Sequence, residues 1–559
     1  MRWTTGQIAV AALLAAFLLL FLVVPVGQVI LVAFSDGAGG VTLVHFQDFF
    51  RTSLFRESFY NSFYVAGMSV LFASALALPL AYFTVRFHFR GAILIQTLGV
   101  IPLIMPPFVG AVAMQLLFGR NGSLNLLLDQ YFGFTIPIMQ GLNGVIFVET
   151  IHYFPFILLN LSAALANIDR AMEEAAQNMG ASGWQLFRRI VFPLALPGYV
   201  AGAALVFIKV FDDLGTPLVL NVTNMLAPQA YLRITSIGLT DPIGYVISVI
   251  MVAFSLAALW ASALALKGKE YATVQRGGGG LAKRRLKPWE QAAAMALIIL
   301  ILIVVLSPHI GVFLLSIGTI WSFSVLPDAY TLKHYIAVFE ESTGFIGNTL
   351  LYAGLAAAID VVIGTAIAYL ILRTRLVGRQ TLDYVATAAL AIPGVVLGIG
   401  YLRTFYGVEL PNGQPLATFW VILVIAYAIR RLPYALRSCV AALHQVHIAM
   451  EEAAENLGAG KATTVRRIVV PLMAGGMLAG FVTSFVTAAV ELSATLLLVA
   501  KNADAPIAYG IYVYMQTAAG RGPGAALGVI AVVLVGAGTY LSHRLIERER
   551  YQSSLEANR

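Results

Sequence analysis

"MEEAAQNMGASGWQLFRRIVFPL", residues 172–194, is a polar island in an apolar chain, and it returns as "MEEAAENLGAGKATTVRRIVVPL" at residues 450–472. A shift of 278 aligns the two stretches without gaps, with 14 of 23 positions identical. Self-similarity at a fixed shift marks a duplicated architecture. The same shift pairs Pro155 with Pro433, Leu165 with Leu443 and Asp213 with Glu491. Upstream, "NSFYVAG" from Asn61 resembles "NTLLYAG" from Asn348 at a shift of 287, and Ile101-Pro102 matches Ile392-Pro393 at 291. Loop insertions account for the differing shifts.

Outside these islands the 559 residues are 59% hydrophobic and 11% charged, whereas soluble domains carry about a quarter charged residues. Such a chain is an all-α integral membrane protein. A membrane-crossing helix needs about 20 apolar residues, and twelve such runs are expected, at 8–34, 58–85, 93–118, 138–165, 193–220, 243–266, 290–317, 346–372, 383–405, 417–443, 471–499 and 524–546. The first run is longer than the apolar stretch of about 7–15 residues in a secretory signal and lacks a small-residue cleavage site, so it is read as a span. Loops are short and leave no room for a sizeable soluble domain.

Basic residues favour the cytoplasmic ends of spans. With twelve spans, 23 of the 35 Lys and Arg fall on the side that holds both termini and both islands, against seven opposite. That side is therefore expected to be cytoplasmic. The net charge of +8 reports this topology rather than nucleic-acid binding. Cys439, the single cysteine, excludes an internal disulfide.

The expected domains are residues 1–266 and 290–559, six spans each, joined by the basic linker 267–289 with its four consecutive glycines, Gly277 to Gly280. In each island, Glu173 to Asn178 and Glu451 to Asn456 favour a short helix stopped by Gly180 or Gly458. A second short segment, Trp184 to Ile190 in the first copy, precedes the proline that opens the next span. The expectation is a compact helix–turn–helix knob, tied to two spans and suited to receiving a push.

Glu174-Ala175-Ala176 with Gly180, Ile190 and Phe192-Pro193 resembles the "EAA" signature of permeases from binding-protein-dependent ABC importers, and Glu452-Ala453-Ala454 with Gly458, Ile468 and Val470-Pro471 matches it again. The resemblance covers the whole chain and is nearest to fused two-domain permeases for ferric iron or 2-aminoethylphosphonate. It implies two tandem six-helix type I permease domains in a bacterial inner membrane. It also implies that Glu173, Glu174, Ala175, Ala176, Gly180 and their counterparts Glu451, Glu452, Ala453, Ala454, Gly458 form coupling helices for two cytoplasmic ATPase subunits. Near-identical copies suggest one ATPase as a homodimer. A periplasmic binding protein would deliver the solute, ATP and Mg would be bound by the ATPases, and no cofactor is expected on this chain. "GAGKATT" from Gly458 is not a phosphate loop, because the pattern needs glycine where Glu455 stands and a hydroxyl where Ala462 stands. The chain is accordingly not expected to be an enzyme.

Charges inside spans cost at least about 2.5 kcal/mol on insertion scales and mark functional positions. Lys209, Arg403, Arg430, Arg431 and Arg437 qualify, with His152 and Tyr153 standing opposite Arg430 and Arg431 in the repeat. Two arginine forks in a wet path suit a phosphonate or other small organic anion. Alternatively they pair with Glu491, Asp212, Asp213 or Asp360, or snorkel. Lys209, Asp213, Arg430, Arg431 and Glu491 are the candidate pathway residues. No spacing of His, Cys or Met suggests a metal site, although iron delivered by a binding protein needs none. The rival of another class is a gradient-driven secondary transporter using Asp212, Asp213, Asp360 and Glu491, which leaves the duplicated knob without a role.

Overall fold

The computed structural model describes residues 5–89, 91–168, 170–266 and 286–557. The glycine-rich part of the expected linker, residues 267–285, lies outside them. The described residues form helices joined by loops, with three isolated bridges in place of any sheet.

The first half runs α1 (Gly6–Phe34), α2 (Ser53–Arg86), a bent pair α3 (Ala92–Ile104 and Pro107–Phe132), α4 (Leu142–Ala166), a short α5 (Arg170–Asn178), α6 (Gly183–Asp212) and α7 (Pro242–Leu266). The second repeats the order with α8 (Pro288–Ile317), α9 (Thr343–Arg373), a bent pair α10 (Arg379–Ala391 and Gly394–Phe405), α11 (Trp420–Gln445), a short α12 (Ile448–Asn456), α13 (Lys461–Ala489) and α14 (Arg521–Ala557). Nine of these helices are long and apolar enough to cross a membrane, or eleven if each bent pair is one span. The remaining expected span is α11. Its 26 residues suffice in length at 1.5 Å per residue, but Arg430, Arg431 and Arg437 interrupt its apolar run.

The spans expected at 93–118 and 383–405 are the bent pairs. Their two arms meet at 103° and 110°, because the residue before a proline is driven out of helical conformation. Met105 precedes Pro106 at ψ 135°, and Ile392 precedes Pro393 at ψ 116°. The structural equivalents are thus Pro106 and Pro393, at the same shift of 287 as Asn61 and Asn348. The sequence match of Ile101-Pro102 to Ile392-Pro393 is out of register.

The fifth spans differ too. Trp184 to Ile190 is no separate segment: α6 and α13 run unbroken from Gly183 and Lys461, through π turns at Phe187–Val191 and Val465–Val469. Pro193 and Pro471 follow each π turn and cannot donate to the carbonyl four residues back, a mismatch that a widened turn absorbs. Both helices also end earlier than their apolar runs. The Asp213 carboxylate accepts from the Thr216 N–H at 2.9 Å, and Glu491 from the Ala494 N–H at 3.1 Å. Each acid caps a new short helix, Gly215–Val219 or Thr495–Leu498, by satisfying an amide that has no intrahelical acceptor.

The first helix of each half packs against the other half. Leu14, Leu18 and Leu22 of α1 lie in a core built from α9, α10, α11 and α13, while Val29 and Ala33 of α1, together with Ile298, Ile301 and Val305 of α8, lie in a second core that holds most of the first half and parts of α10 and α14. The Tyr401 hydroxyl donates to the Phe21 carbonyl at 2.7 Å, fixing α1 on α10. The two repeats therefore interlock.

Candidate functional site

Two regions converge on function: the paired knobs, and a cavity between the halves.

In each knob the helix ends in a left-handed glycine, Gly180 at φ +91° and Gly458 at φ +88°. The Ala181 N–H then reaches the Ala176 carbonyl and Ala459 the Ala454 carbonyl, both at 3.0 Å. This closure uses up orphan carbonyls and needs a residue without a Cβ. The motif residues divide between two faces. Glu173, Ala176, Glu451 and Ala454 are buried, whereas Glu174, Ala175, Glu452 and Ala453 are exposed. The two glutamates of each pair face apart: Glu173 pairs with Arg86 at the end of α2, and Glu451 Oε1 accepts from Arg373 Nε at 2.6 Å, at the end of α9. Beside each glycine a bulky apolar side chain points outward, Met179 at 82% exposure and its counterpart Leu457 at 90%.

The cavity, of about 310 Å³, is lined from both halves: the bend of α3, His152 and Tyr153 of α4, Lys209 and Asp212 of α6, Asp213, Arg430, Arg431 and Tyr434 of α11, Thr483 and Thr487 of α13, and Glu491. All five candidate pathway residues thus line the same cavity. Arg430 bridges the halves, since its Nη2 donates to Asp212 Oδ2 at 2.5 Å and its Nη1 to Glu491. Arg431 Nη2 donates to the same Glu491 oxygen at 2.5 Å. The Gly394 N–H, at the first turn after the α10 bend, donates to Asp212 Oδ1 at 2.8 Å. Both arginines are only 6% exposed. Lys209 approaches the Tyr434 hydroxyl across the interface.

Three bases, Lys209, Arg430 and Arg431, therefore face three acids, Asp212, Asp213 and Glu491. The arginine forks are engaged by carboxylates of this chain, the second of the alternatives left open by the sequence. Of the other intramembrane bases, Arg403 is exposed and Arg437 pairs with Asp383 at 2.8 Å. Asp360 is fully buried on α9, near Ser484 and Arg431.

Sequence reasoning missed Glu149, Arg86 and Arg373. Glu149 is fully buried on α4, and its carboxylate faces Asp213 and Thr216. Treating acids within spans by the same cost argument as bases finds it. Arg86 and Arg373 stand at the 287 shift already seen for Asn61 and Asn348, a signal present but unread. Among the described residues no group of three or more His, Cys, Asp and Glu is arranged to hold a metal ion.

Comparison with known proteins adds the wider context. The family described as "Binding-protein-dependent transport system inner membrane component" matches residues 69–270 and again 297–550. The ferric transport system permease protein FbpB of Actinobacillus pleuropneumoniae is 27% identical over 461 residues, covering 80% of this chain and 65% of that one. A putative ferric transport system permease protein, FbpB 1 of Haemophilus influenzae, is 28% identical over 461 residues, covering 81% and 71%. The molybdenum transport system permease protein ModB of Haemophilus influenzae is 34% identical over 154 residues, 28% of this chain and 66% of that one. The chain thus spans about two thirds of the length of the two ferric relatives. With one family matched twice across most of its length, on a helix order that the structure also repeats, this chain belongs to the inner membrane components of binding-protein-dependent transport systems.

Proposed function

We propose that the chain is the permease subunit of an ATP-driven importer in a bacterial inner membrane, with both termini and both knobs in the cytoplasm. The observation that carries this reading is the duplicated knob. Each copy offers Glu174 or Glu452 and a bulky apolar tip, Met179 or Leu457, to water. Exposed apolar groups at a fixed, repeated position fit a docking surface. The partners are two cytoplasmic ATPase subunits, a homodimer given the near-identical knobs, which bind the ATP and Mg. A periplasmic binding protein delivers the solute, and knob movement opens the cavity alternately to either side. Deleting residues 174–180 abolishes co-purification of the ATPase while membrane insertion persists; retained co-purification overturns the reading.

For the cargo, ferric iron is favoured over the phosphonate-like anion that the intramembrane arginines suggested. Two relatives spanning most of the chain are named for ferric transport, and the cavity wall balances its charges instead of offering free arginine forks to an anion. Uptake of radiolabelled iron by cells expressing this permease with its ATPase and binding protein tests the assignment. Iron uptake that excess 2-aminoethylphosphonate leaves unchanged supports it; uptake of the phosphonate without iron overturns it.

A further inference from the structure

The two ion pairs beneath the knobs recur in both halves with the same partners. Arg86 is the last residue of α2 and Arg373 the last of α9, where the helix dipole favours a cation. Glu173 and Glu451 lie in the first turns of α5 and α12, where it favours an anion. Each arginine also reaches the end of the fourth span. Arg86 Nη1 donates to the Leu165 carbonyl at 3.3 Å, and Arg373 Nη2 donates to the Val446 carbonyl at 2.6 Å and to Leu443 at 3.3 Å. Side-chain exposures are 11% and 9% in one pair and 12% and 8% in the other. The arginines repeat at a shift of 287 and the glutamates at 278, so the contact persists although the intervening chain differs in length.

Each guanidinium therefore joins three ends: the second span, the fourth span and the coupling helix. The fourth spans carry His152 and Tyr153, or Arg430 and Arg431, into the cavity wall. Leu443 lies 13 residues beyond Arg430, roughly 20 Å along one continuous helix. A displacement of the knob is thereby delivered to the cavity without passing through a loose loop.

We propose that Arg86–Glu173 and Arg373–Glu451 are positioning clasps that make each coupling helix move as one body with the second and fourth spans of its half. Glu174 and Glu452 face the ATPase; Glu173 and Glu451 hold the lever. The proposal rests on the importer reading, and its test separates the two.

The complete importer, this chain with its ATPase and binding protein, is reconstituted in proteoliposomes. ATPase co-purification, basal ATP hydrolysis, and hydrolysis stimulated by loaded binding protein are measured for Glu173→Gln with Glu451→Gln, and for Arg86→Lys with Arg373→Lys. The glutamine variant keeps co-purification and basal hydrolysis, while stimulation falls by at least about 5-fold, the lower end of typical coupling between sites. The lysine variant, which retains the charge, keeps most of the stimulation. Unchanged stimulation in the glutamine variant, or lysine variants as defective as glutamine ones, overturns the proposal. Loss of ATPase co-purification in the glutamine variant also overturns it, because Glu173 and Glu451 would then belong to the docking surface. Failure of the unmodified chain to retain the ATPase would instead refute the importer reading.

Discussion

Replacing Arg430 with glutamine separates a structural role for the arginine pair from a cargo-binding one. Arg430 makes charge-assisted contacts to Asp212 from the first half and Glu491 from the second. Removing one member of a buried ionic network leaves charge uncompensated, at a cost of about 3–5 kcal/mol. Two features place this site at the low end of that range. Asp212 keeps the Gly394 N–H at 2.8 Å, and Glu491 keeps Arg431 at 2.5 Å and the Ala494 N–H at 3.1 Å. The expected loss is about 3 kcal/mol. Asp212→Asn strands one guanidinium arm and is destabilising by a smaller amount. Because the two residues touch, the double variant loses less than the sum of the singles, with a coupling of at least about 1 kcal/mol. Unfolding in mixed dodecylmaltoside–SDS micelles, followed through the fluorescence of the six tryptophans, reads all three variants on one scale. Additivity within about 0.5 kcal/mol refutes the bridge. A cargo-binding arginine predicts the opposite pattern: nearly unchanged stability with strongly reduced uptake.

Gly394→Ala attacks the same network from the backbone: an added methyl would lie 2.8 Å from Arg430 Cζ and 2.9 Å from Glu491 Oε1. It should destabilise the chain in the same unfolding assay, and wild-type stability would mean the network can shift aside. Gly180→Ala meets no neighbouring atom but holds a left-handed residue at a cost of about 1–2 kcal/mol; knob geometry and ATPase retention should weaken in co-purification. Met179→Glu with Leu457→Glu alters only exposed side chains, so stability should stay within about 0.5 kcal/mol while ATPase association is lost. Retained association would remove the apolar tips from the docking surface.

Much of this architecture was legible because it is local or repeated. Apolar runs and the glycines at 180 and 458 act through their own backbones, so pattern alone located the spans and knobs. The bends were missed because Pro393 was matched to Pro102 instead of Pro106, and because apolarity says nothing about direction after a break. Asp213 and Glu491 were matched by the repeat, yet their capping of short helices was not, since an acid late in an apolar run reads as part of the span. The neutralisation of Arg430 was the least legible feature: Asp212 lies 218 residues away, and only packing of one half on the other selects it over Asp213 or Asp360.

By itself, the sequence determined a duplicated, all-helical membrane chain with two polar knobs, because hydropathy and motif spacing are properties of contiguous residues. Tertiary structure alone decided three things. It packed α1 and α8 against the opposite half, turned the first glutamate of each knob inward onto an arginine at the end of a span, and closed the arginine pair onto carboxylates. Each depends on which distant surfaces meet, and burying a charge away from water forces it to find a partner wherever the fold supplies one.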